Sequence, residues 1–404
     1  MRNRYKPLKK LCVNCSACAS ICPKSCIAIK EDEYGFGIPV IETSQCISCN
    51  LCEKVCPALN PLPAGEIGNV FVSRNKEKTI FDIASSGGLF ALFAHYTIDN
   101  GGVVFGARFD EEWNVKHGSA ETHEELEAFY GSKYVQSDVG NSFKEVKTFL
   151  QQNSQVLFSG TPCQIAGLKK FLKKDYANLL TIDFICHGVP NPKVFKKYLA
   201  ERVENENKRL GINKANLVAL RFRDKSLGWK RFGLALDFLC KNADGTEILE
   251  TTSVPLNEDC FLKGFLRDIY LRPSCYNCPT KNFMSQSDIT LADAWGVWEE
   301  TDRFDDDKGA SLIFVHSQAG ERICRELSDK MEEPFPVDKE FILKHNPAAF
   351  HSAKPHKSQR KFYRLFTQSE CSFEDIINQC LPPPTYFDKL VWSINRRIKA
   401  LCKK

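Results

Sequence analysis

The sequence predicts an α+β/α chain. A small cysteine-dense domain comes first, then a larger domain mixing parallel α/β units with antiparallel strands, then a helical basic C-terminal tail. Three observations predict this. Cysteines crowd residues 12–56 at short, regular gaps. Over residues 69–335 short apolar runs alternate with helical patterns. Residues 336–404 are basic, polar and poor in strand signals.

At 404 residues the chain is long enough for two or three domains and an ample core. The 43% hydrophobic and 26% charged fractions are those of an ordinary soluble globular protein. A net charge of +5 and a pI near 8.3 are mildly basic. The middle of the chain has no Lys/Arg run with interleaved aromatics, so no nucleic-acid partner is expected. Nineteen cysteines are the outlying feature. A secreted disulfide scaffold is one reading of them. Against it, Met1-Arg2-Asn3-Arg4-Tyr5-Lys6 is followed by no apolar core of signal-peptide length before Cys12. No apolar run reaches the roughly 18 residues of a membrane span. The expectation is a cytoplasmic chain whose clustered cysteines are metal ligands or redox groups.

The elements follow in order. Residues 61–68, with Pro61, Pro63, Gly65 and Gly68, read as a linker. Val70–Val72 reads as a strand, Ser86-Gly87-Gly88 opens a helix over Leu89–Ile98, and Val103–Ala107 is the next strand. Val156–Phe158 and Leu180–Ile185 are buried strands, each leading to a helix: Gln164–Leu172, and Pro192 to about Glu206. Leu217–Arg223, Gly233–Leu239 and Ile248–Val254 read as antiparallel strands, with Ala243-Asp244-Gly245 as a hairpin turn.

The cysteine-dense domain carries the sharpest motif. Cys12-x-x-Cys15-x-x-Cys18-x-x-x-Cys22-Pro23 is repeated as Cys46-x-x-Cys49-x-x-Cys52-x-x-x-Cys56-Pro57. Three cysteines at two-residue gaps let one tight loop serve three irons of a cube. The fourth turns away and ligates the cube of the other motif. One 4Fe-4S cluster is therefore assigned to Cys12, Cys15, Cys18 and Cys56, and a second to Cys46, Cys49, Cys52 and Cys22. Zinc takes ligands in pairs rather than in runs of four. Residues 8–60 resemble bacterial two-cluster ferredoxins, whose cubes exchange single electrons. Cys26 reads as a small buried hydrophobe.

The larger domain contains phrases more specific than composition. They are Ala84-Ser85-Ser86-Gly87-Gly88-Leu89-Phe90, Gly131-Ser132-Lys133-Tyr134-Val135-Gln136, Gly160-Thr161-Pro162-Cys163-Gln164-Ile165, Ile185-Cys186-His187-Gly188-Val189-Pro190, Cys275-x-x-Cys278-Pro279 and Ser287–Gly296. Together, over roughly residues 70–330, they resemble the coenzyme F-420 hydrogenase/dehydrogenase beta-subunit family, which includes 7-hydroxymethyl chlorophyll a reductase. The resemblance implies a mixed α/β flavin-binding domain holding FAD and a 4Fe-4S cluster. It also implies electron traffic between a hydride carrier or reducible substrate and iron–sulfur chains, with coenzyme F-420 as one such carrier. Ala292 departs from the family's Gly-Asp-x-Trp-Gly phrase and places a methyl group where a ligand would approach the backbone.

The residues themselves point the same way. Cys163 starts a helix, whose N-terminal dipole favours a thiolate, and Cys186 ends the next strand. Adjacent parallel strands bring such ends side by side. With Cys275 and Cys278 they make a candidate third 4Fe-4S site. The alternatives are buried core cysteines and a zinc-bound or unligated pair. Ser85, Ser86, Gly87 and Gly88 offer hydroxyls, amides and a helix dipole to a phosphate or flavin edge. Such glycine-rich helix starts are common on their own. Ser132, Lys133 and Tyr134 offer a cation and a stacking ring, or else form a surface loop before a strand. Asp293 and Trp295 are expected in the same pocket, although Asp293 alone could cap a turn. His187 could relay protons or be a hydrogen-bonded core histidine.

In the tail, residues 383–404 read as a basic amphipathic helix that docks on the domain or a partner, or contacts a membrane peripherally. His351, Lys354, His356, Lys357, Arg360, Lys361 and Arg364 form a solvated face or a steering surface for an acidic redox partner. The leading expectation is a flavin-dependent iron–sulfur oxidoreductase working with a redox partner protein or ferredoxin, with oligomerisation left open. Two alternatives remain: an electron-relay subunit of a larger redox complex, and a family scaffold reused in a biosynthetic pathway such as surface polysaccharide assembly.

Overall fold

The computed structural model describes residues 8–210, 216–241 and 246–382. The expected turn at Ala243-Asp244-Gly245 and the amphipathic helix over 383–404 lie outside the described residues.

In the cysteine-dense region β1 (Ile27–Glu31) and β2 (Gly37–Ile41) pair antiparallel between the two cysteine runs. Each run is a tight loop entering a short helix, Ala17–Ile21 or Leu51–Lys54. Left-handed backbone recurs at equivalent places, at Asn14 and Ser48 and again at Ser16 and Asn50. Non-glycine residues adopt it only when their surroundings demand it. The sequence repeat is therefore also a repeat of loop shape. Residues 61–68 lie without regular structure against the larger domain. Gly65 N–H donates to Asn282 O at 3.2 Å, and a Cβ on Gly68 would stand 1.9 Å from Val315 O.

The larger domain contains β3 (Asn69–Ser73), β4 (Val103–Phe109), β5 (Val115–Ala120), β6 (Val156–Ser159) and β7 (Leu179–Phe184). It continues with β8 (Asn216–Asp224), β9 (Gly233–Lys241), β10 (Glu247–Pro255), β11 (Ile289–Asp293), β12 (Ser311–Val315) and β13 (Phe335–Pro336). An eight-stranded sheet runs β13-β3-β12-β11-β7-β6-β4-β5. Its centre, β11-β7-β6-β4, is parallel, and the pairs outside it are antiparallel. The apolar runs of β4, β6 and β12 are buried along their length, as strands covered on both faces must be. Side chains alternate between faces. Val104 and Leu157 meet helices Leu89–Asp99 and Gln318–Glu326, while Phe105 and Phe158 meet Ser142–Gln151 and Pro162–Leu172. Val13, Cys15, Ala17 and Val55 join the second face, so the cysteine-dense domain shares a core with the sheet.

β8, β9 and β10 form the expected antiparallel sheet. Its core also takes in helix Pro192–Leu210 and, from the end of the described chain, Phe362, Phe373, Ile376 and Ile377. Phe341 and Ile342 pack beside Phe314. Lys354, Lys357, Arg360, Lys361 and Arg364 face solvent. The alternative reading of Gly131–Tyr134, a surface loop before a strand, is not met, because no strand follows. Gln136 and Ser137 are buried there, but their side chains bond to other segments instead of continuing a ladder. Among the described residues no helix is long and apolar enough to cross a membrane.

Candidate functional site

β6 and β7 are parallel neighbours, so the loops that leave their C-terminal ends lie side by side. Cys163 follows β6 as the second residue of helix Pro162–Leu172, whose start is closed by a reciprocal Thr161–Gln164 capping box. Cys186 follows β7. Cys275 lies in a short 3₁₀ turn, Pro273–Asn277, with Cys278 directly after it. The four cysteines line one cavity of about 50 Å³, together with Val13, Arg272 and Lys281. Burial, and then the charges of Cys278, Cys186 and Cys275, push the Cys163 thiol well above its ordinary range. Burial likewise pushes Cys186 up to about 12. The expectation of a thiolate favoured by the helix N-terminus is thus corrected for the bare protein, because desolvation outweighs the dipole. Thiolates here require a cationic group to hold them. Among the described residues no three of His, Cys, Asp or Glu approach closely enough to share one ion. Thiols spread round a cavity suit a cube better than a single zinc, which draws each sulfur to about 2.3 Å.

Cys12, Cys15, Cys18, Cys52 and Cys56 line a second cavity, of about 30 Å³. The motif assigned four of these, Cys12, Cys15, Cys18 and Cys56, to one cube and Cys52 to the other. For the other set the contacts run through Cys26, a buried thiol 3.4 Å from Cys22 Sγ and hydrogen-bonded to Cys46. Cys49 is exposed. Spacing gave no signal that Cys26 would touch ligand positions, because it lies outside both runs.

A third cavity, of about 700 Å³, opens at the C-terminal ends of the parallel strands, where such sheets bind ligands. Ser85, Ser86, Gly88, Ser132, Lys133, Tyr134, Asp293 and Trp295 all line it, as does the Ala292 methyl. The 85–88 loop is held by its own polar groups. Ser85 Oγ accepts from Ser132 N–H at 2.7 Å, and Ser86 Oγ donates to Ala310 O at 2.7 Å. Gly87 N–H donates to Ser311 Oγ at 3.0 Å, so Gly87 supports the loop from behind. The first turn of helix Leu89–Asp99 contributes Leu89, Phe90 and Ala91 to the wall. Its unpaired amides suit an anion. Lys133 Nζ reaches Tyr130 O at 2.8 Å, and burial pulls its ammonium down to about 7. Tyr134 stacks on Phe265 at 4.9 Å.

Asp293 is not a turn cap. It ends β11 and accepts from Arg223 Nη1 at 2.7 Å and from Trp229 Nε1 at 3.3 Å. Trp229 in turn stacks on Trp295 at 4.6 Å. Arg223 is buried and was not anticipated from the sequence. Its Nε and the Nδ2 of Asn346 have no hydrogen-bond partner, and both residues line the cavity. These donors, the Lys133 cation and the helix start fit a ligand rich in acceptor oxygens, such as a flavin dinucleotide. His187 Nε2 lies 2.7 Å from Asp268 Oδ1 at the same wall.

Residues 11–60 match the 4Fe-4S dicluster domain. Residues 153–335 match the family model for the C terminus of the beta subunit of coenzyme F420 hydrogenase/dehydrogenase. No curated protein matches the chain. A solved structure of the F420-reducing NiFe hydrogenase complex from Methanosarcina barkeri is similar over 80% of this chain and 94% of its own, at 17% identity and a TM-score of 0.43. One chain thus carries two matches in series, residues 11–60 to a 4Fe-4S dicluster domain and residues 153–335 to the C terminus of the coenzyme F420 hydrogenase/dehydrogenase beta subunit.

Proposed function

We propose that this chain is a flavin-dependent iron–sulfur oxidoreductase. The 700 Å³ cavity would hold FAD together with a hydride carrier or reducible substrate. Cys163, Cys186, Cys275 and Cys278 would hold a third 4Fe-4S cluster beside the two of the dicluster domain. The observation that carries the reading is that the three cavities adjoin in series. Residues 183–189 form a wall common to the large cavity and the four-cysteine cavity, and Val13 lines both the latter and the Cys12 cavity. A flavin, when bound, converts between a two-electron hydride and single electrons.

The chain's own residues bind and orient. Lys133 and the start of helix Leu89–Asp99 would hold phosphate oxygens, and Tyr134 and Trp295 supply flat apolar walls. The Arg223–Asp293 pair fixes that end of the cavity. Coenzyme F420 as the hydride carrier is supported by the family alone. At the far end of the cysteine-dense domain Ile47 is 57% exposed and Cys49 also faces solvent, which suits contact with a redox partner protein. That exposed end favours a second reading, an electron-relay subunit within a larger complex.

Iron, acid-labile sulfide and released flavin, counted on anaerobically purified protein, separate the two. About twelve irons and one FAD per chain are expected, at four irons per cube. About eight irons and no flavin would overturn the flavoenzyme reading and leave the relay.

A further inference from the structure

Between the two cysteine-lined cavities lies Arg272, 1% exposed. Its guanidinium donates three hydrogen bonds: Nε to Gln136 Oε1 at 2.7 Å, Nη1 to Cys12 O at 3.0 Å and Nη2 to Gly37 O at 3.0 Å. It also packs over Phe36, 4.9 Å from the ring centre. Each acceptor is a neutral carbonyl oxygen. Burial pulls the guanidinium down, and the charges opposing that come from Cys12, Cys275 and Cys163, ahead of Asp32. A buried cation without a carboxylate partner is costly unless another anion compensates it. The groups that face this one and can become anionic are cysteines from both four-cysteine sets, Cys12 on one side and Cys163 and Cys275 on the other.

The same residue joins the two domains. Cys12 O and Gly37 O belong to the cysteine-dense domain, while Gln136 belongs to the larger one. Ser274 Oγ also donates to Cys12 O at 3.0 Å, and Gln136 Nε2 to Val13 O at 2.9 Å. Arginine suits the place because its planar fork fixes several acceptors at once and stays charged when buried.

We propose that Arg272 is the shared counter-charge of the Cys12 site and the Cys163 site, raising the reduction potentials of both together. This rests on the reading of Cys163, Cys186, Cys275 and Cys278 as a 4Fe-4S site. Reduction adds one electron to an already anionic site and breaks no bond. A fixed cation in a low-dielectric wall between two such sites stabilises the reduced form of each. Because it faces both, it shifts them in the same direction and leaves the step between them little changed. The guanidinium's printed hydrogen bonds reach Cys12 O and none goes to the Cys46 run, so the site on Cys22, Cys46, Cys49 and Cys52 serves as the comparison in the test.

The test is a redox titration of the iron-loaded full chain, followed by electron paramagnetic resonance, for wild type, Arg272→Gln and Arg272→Lys. In Arg272→Gln the signals of two sites are expected to move to more negative potential while the third stays. Arg272→Lys, which keeps the charge and loses the fork, is expected to stay near wild type. If neither variant moves any signal, or if the two shift alike, Arg272 is only a hydrogen-bonding scaffold and the proposal is overturned. If Arg272→Gln sheds iron, Arg272→Lys decides: retained iron at wild-type potentials supports the counter-charge, and loss of either overturns it. Wild-type iron near eight per chain would sink the third-cluster reading and this inference with it. Iron near twelve with unmoved potentials in Arg272→Gln would sink this inference alone.

Discussion

His117 is buried in the wall of the large cavity yet is held there as a neutral ring. Ser159 O, which can only accept, lies 3.0 Å from Nε2, so Nε2 carries the proton and Nδ1 accepts from Ser137 Oγ at 2.9 Å. The ring stacks on Phe158 at 5.2 Å. Burial pulls the imidazole from 6.5 to about 4. The unfolded chain therefore takes up this proton first as pH falls. The contribution of His117 to stability is present above about 6.5 and is lost on acidification towards 4, about 3 kcal/mol in all. Asp183, which burial holds up to about 6, acts with the opposite sign over part of that range. The informative quantity is accordingly the difference between wild type and His117→Gln in denaturant unfolding across pH 4–7. The variant is expected to be less stable at neutral pH and to lose less on acidification. Parallel curves would show that His117 is not buried neutral. Neither His117 nor Arg223 could be picked out from the chain, because a single polar residue within a strand has no local pattern. The partner of Arg223, Asp293, stands 70 positions away.

Helix Pro162–Leu172 shows what one element can encode. The helix was expected over Gln164–Leu172, and the structure starts it two residues earlier, at Pro162 behind the Thr161–Gln164 capping box. Its buried face, with Ile165, Leu168 and Phe171, follows from helical spacing. The role of Gly167 was not legible. A Cβ there would stand 2.8 Å from both Cβ and Sγ of Cys15. Gly167→Ala should leave the helix intact, since alanine favours it. It should push Cys15 off its position and cost about four irons, read by iron analysis beside far-ultraviolet circular dichroism. Full iron in this variant would mean that the two domains give way to each other at little cost. β5 and β11 escaped sequence reading for a different reason. Each is short, and β5 carries His117 at a buried position where alternation with Val115 would call for an apolar residue, followed by Gly118.

At the scale of the molecule, the family match ends at residue 335 but the packing does not. Phe341 and Ile342 complete one core, and Phe362, Phe373, Ile376 and Ile377 complete another with Phe222, Phe261 and Tyr270. A chain ending at residue 335 is expected to be poorly soluble or to lose its near-ultraviolet circular dichroism. Phe362→Ala in the full chain should lower stability by about 3–5 kcal/mol, read as a fall in the thermal midpoint. A soluble, cooperatively folding chain of 335 residues would show that the last helices are an appendage.

The sequence by itself determined the dicluster motif, the alternation of strands and helices and the three-stranded antiparallel sheet. Ligand spacing and apolar periodicity are local, so they survive without coordinates. It also named most of the residues that line the large cavity, through phrases shared with a family. Only the tertiary structure decided that three cavities adjoin, that Arg272 stands between two cysteine sets and that Arg223 holds Asp293. It also reversed the expected direction at Cys163, where a helix N-terminus acts through one dipole and burial acts through every neighbour that excludes water. Desolvation and distant pairing are sums over the whole fold, and no window of the chain contains those sums.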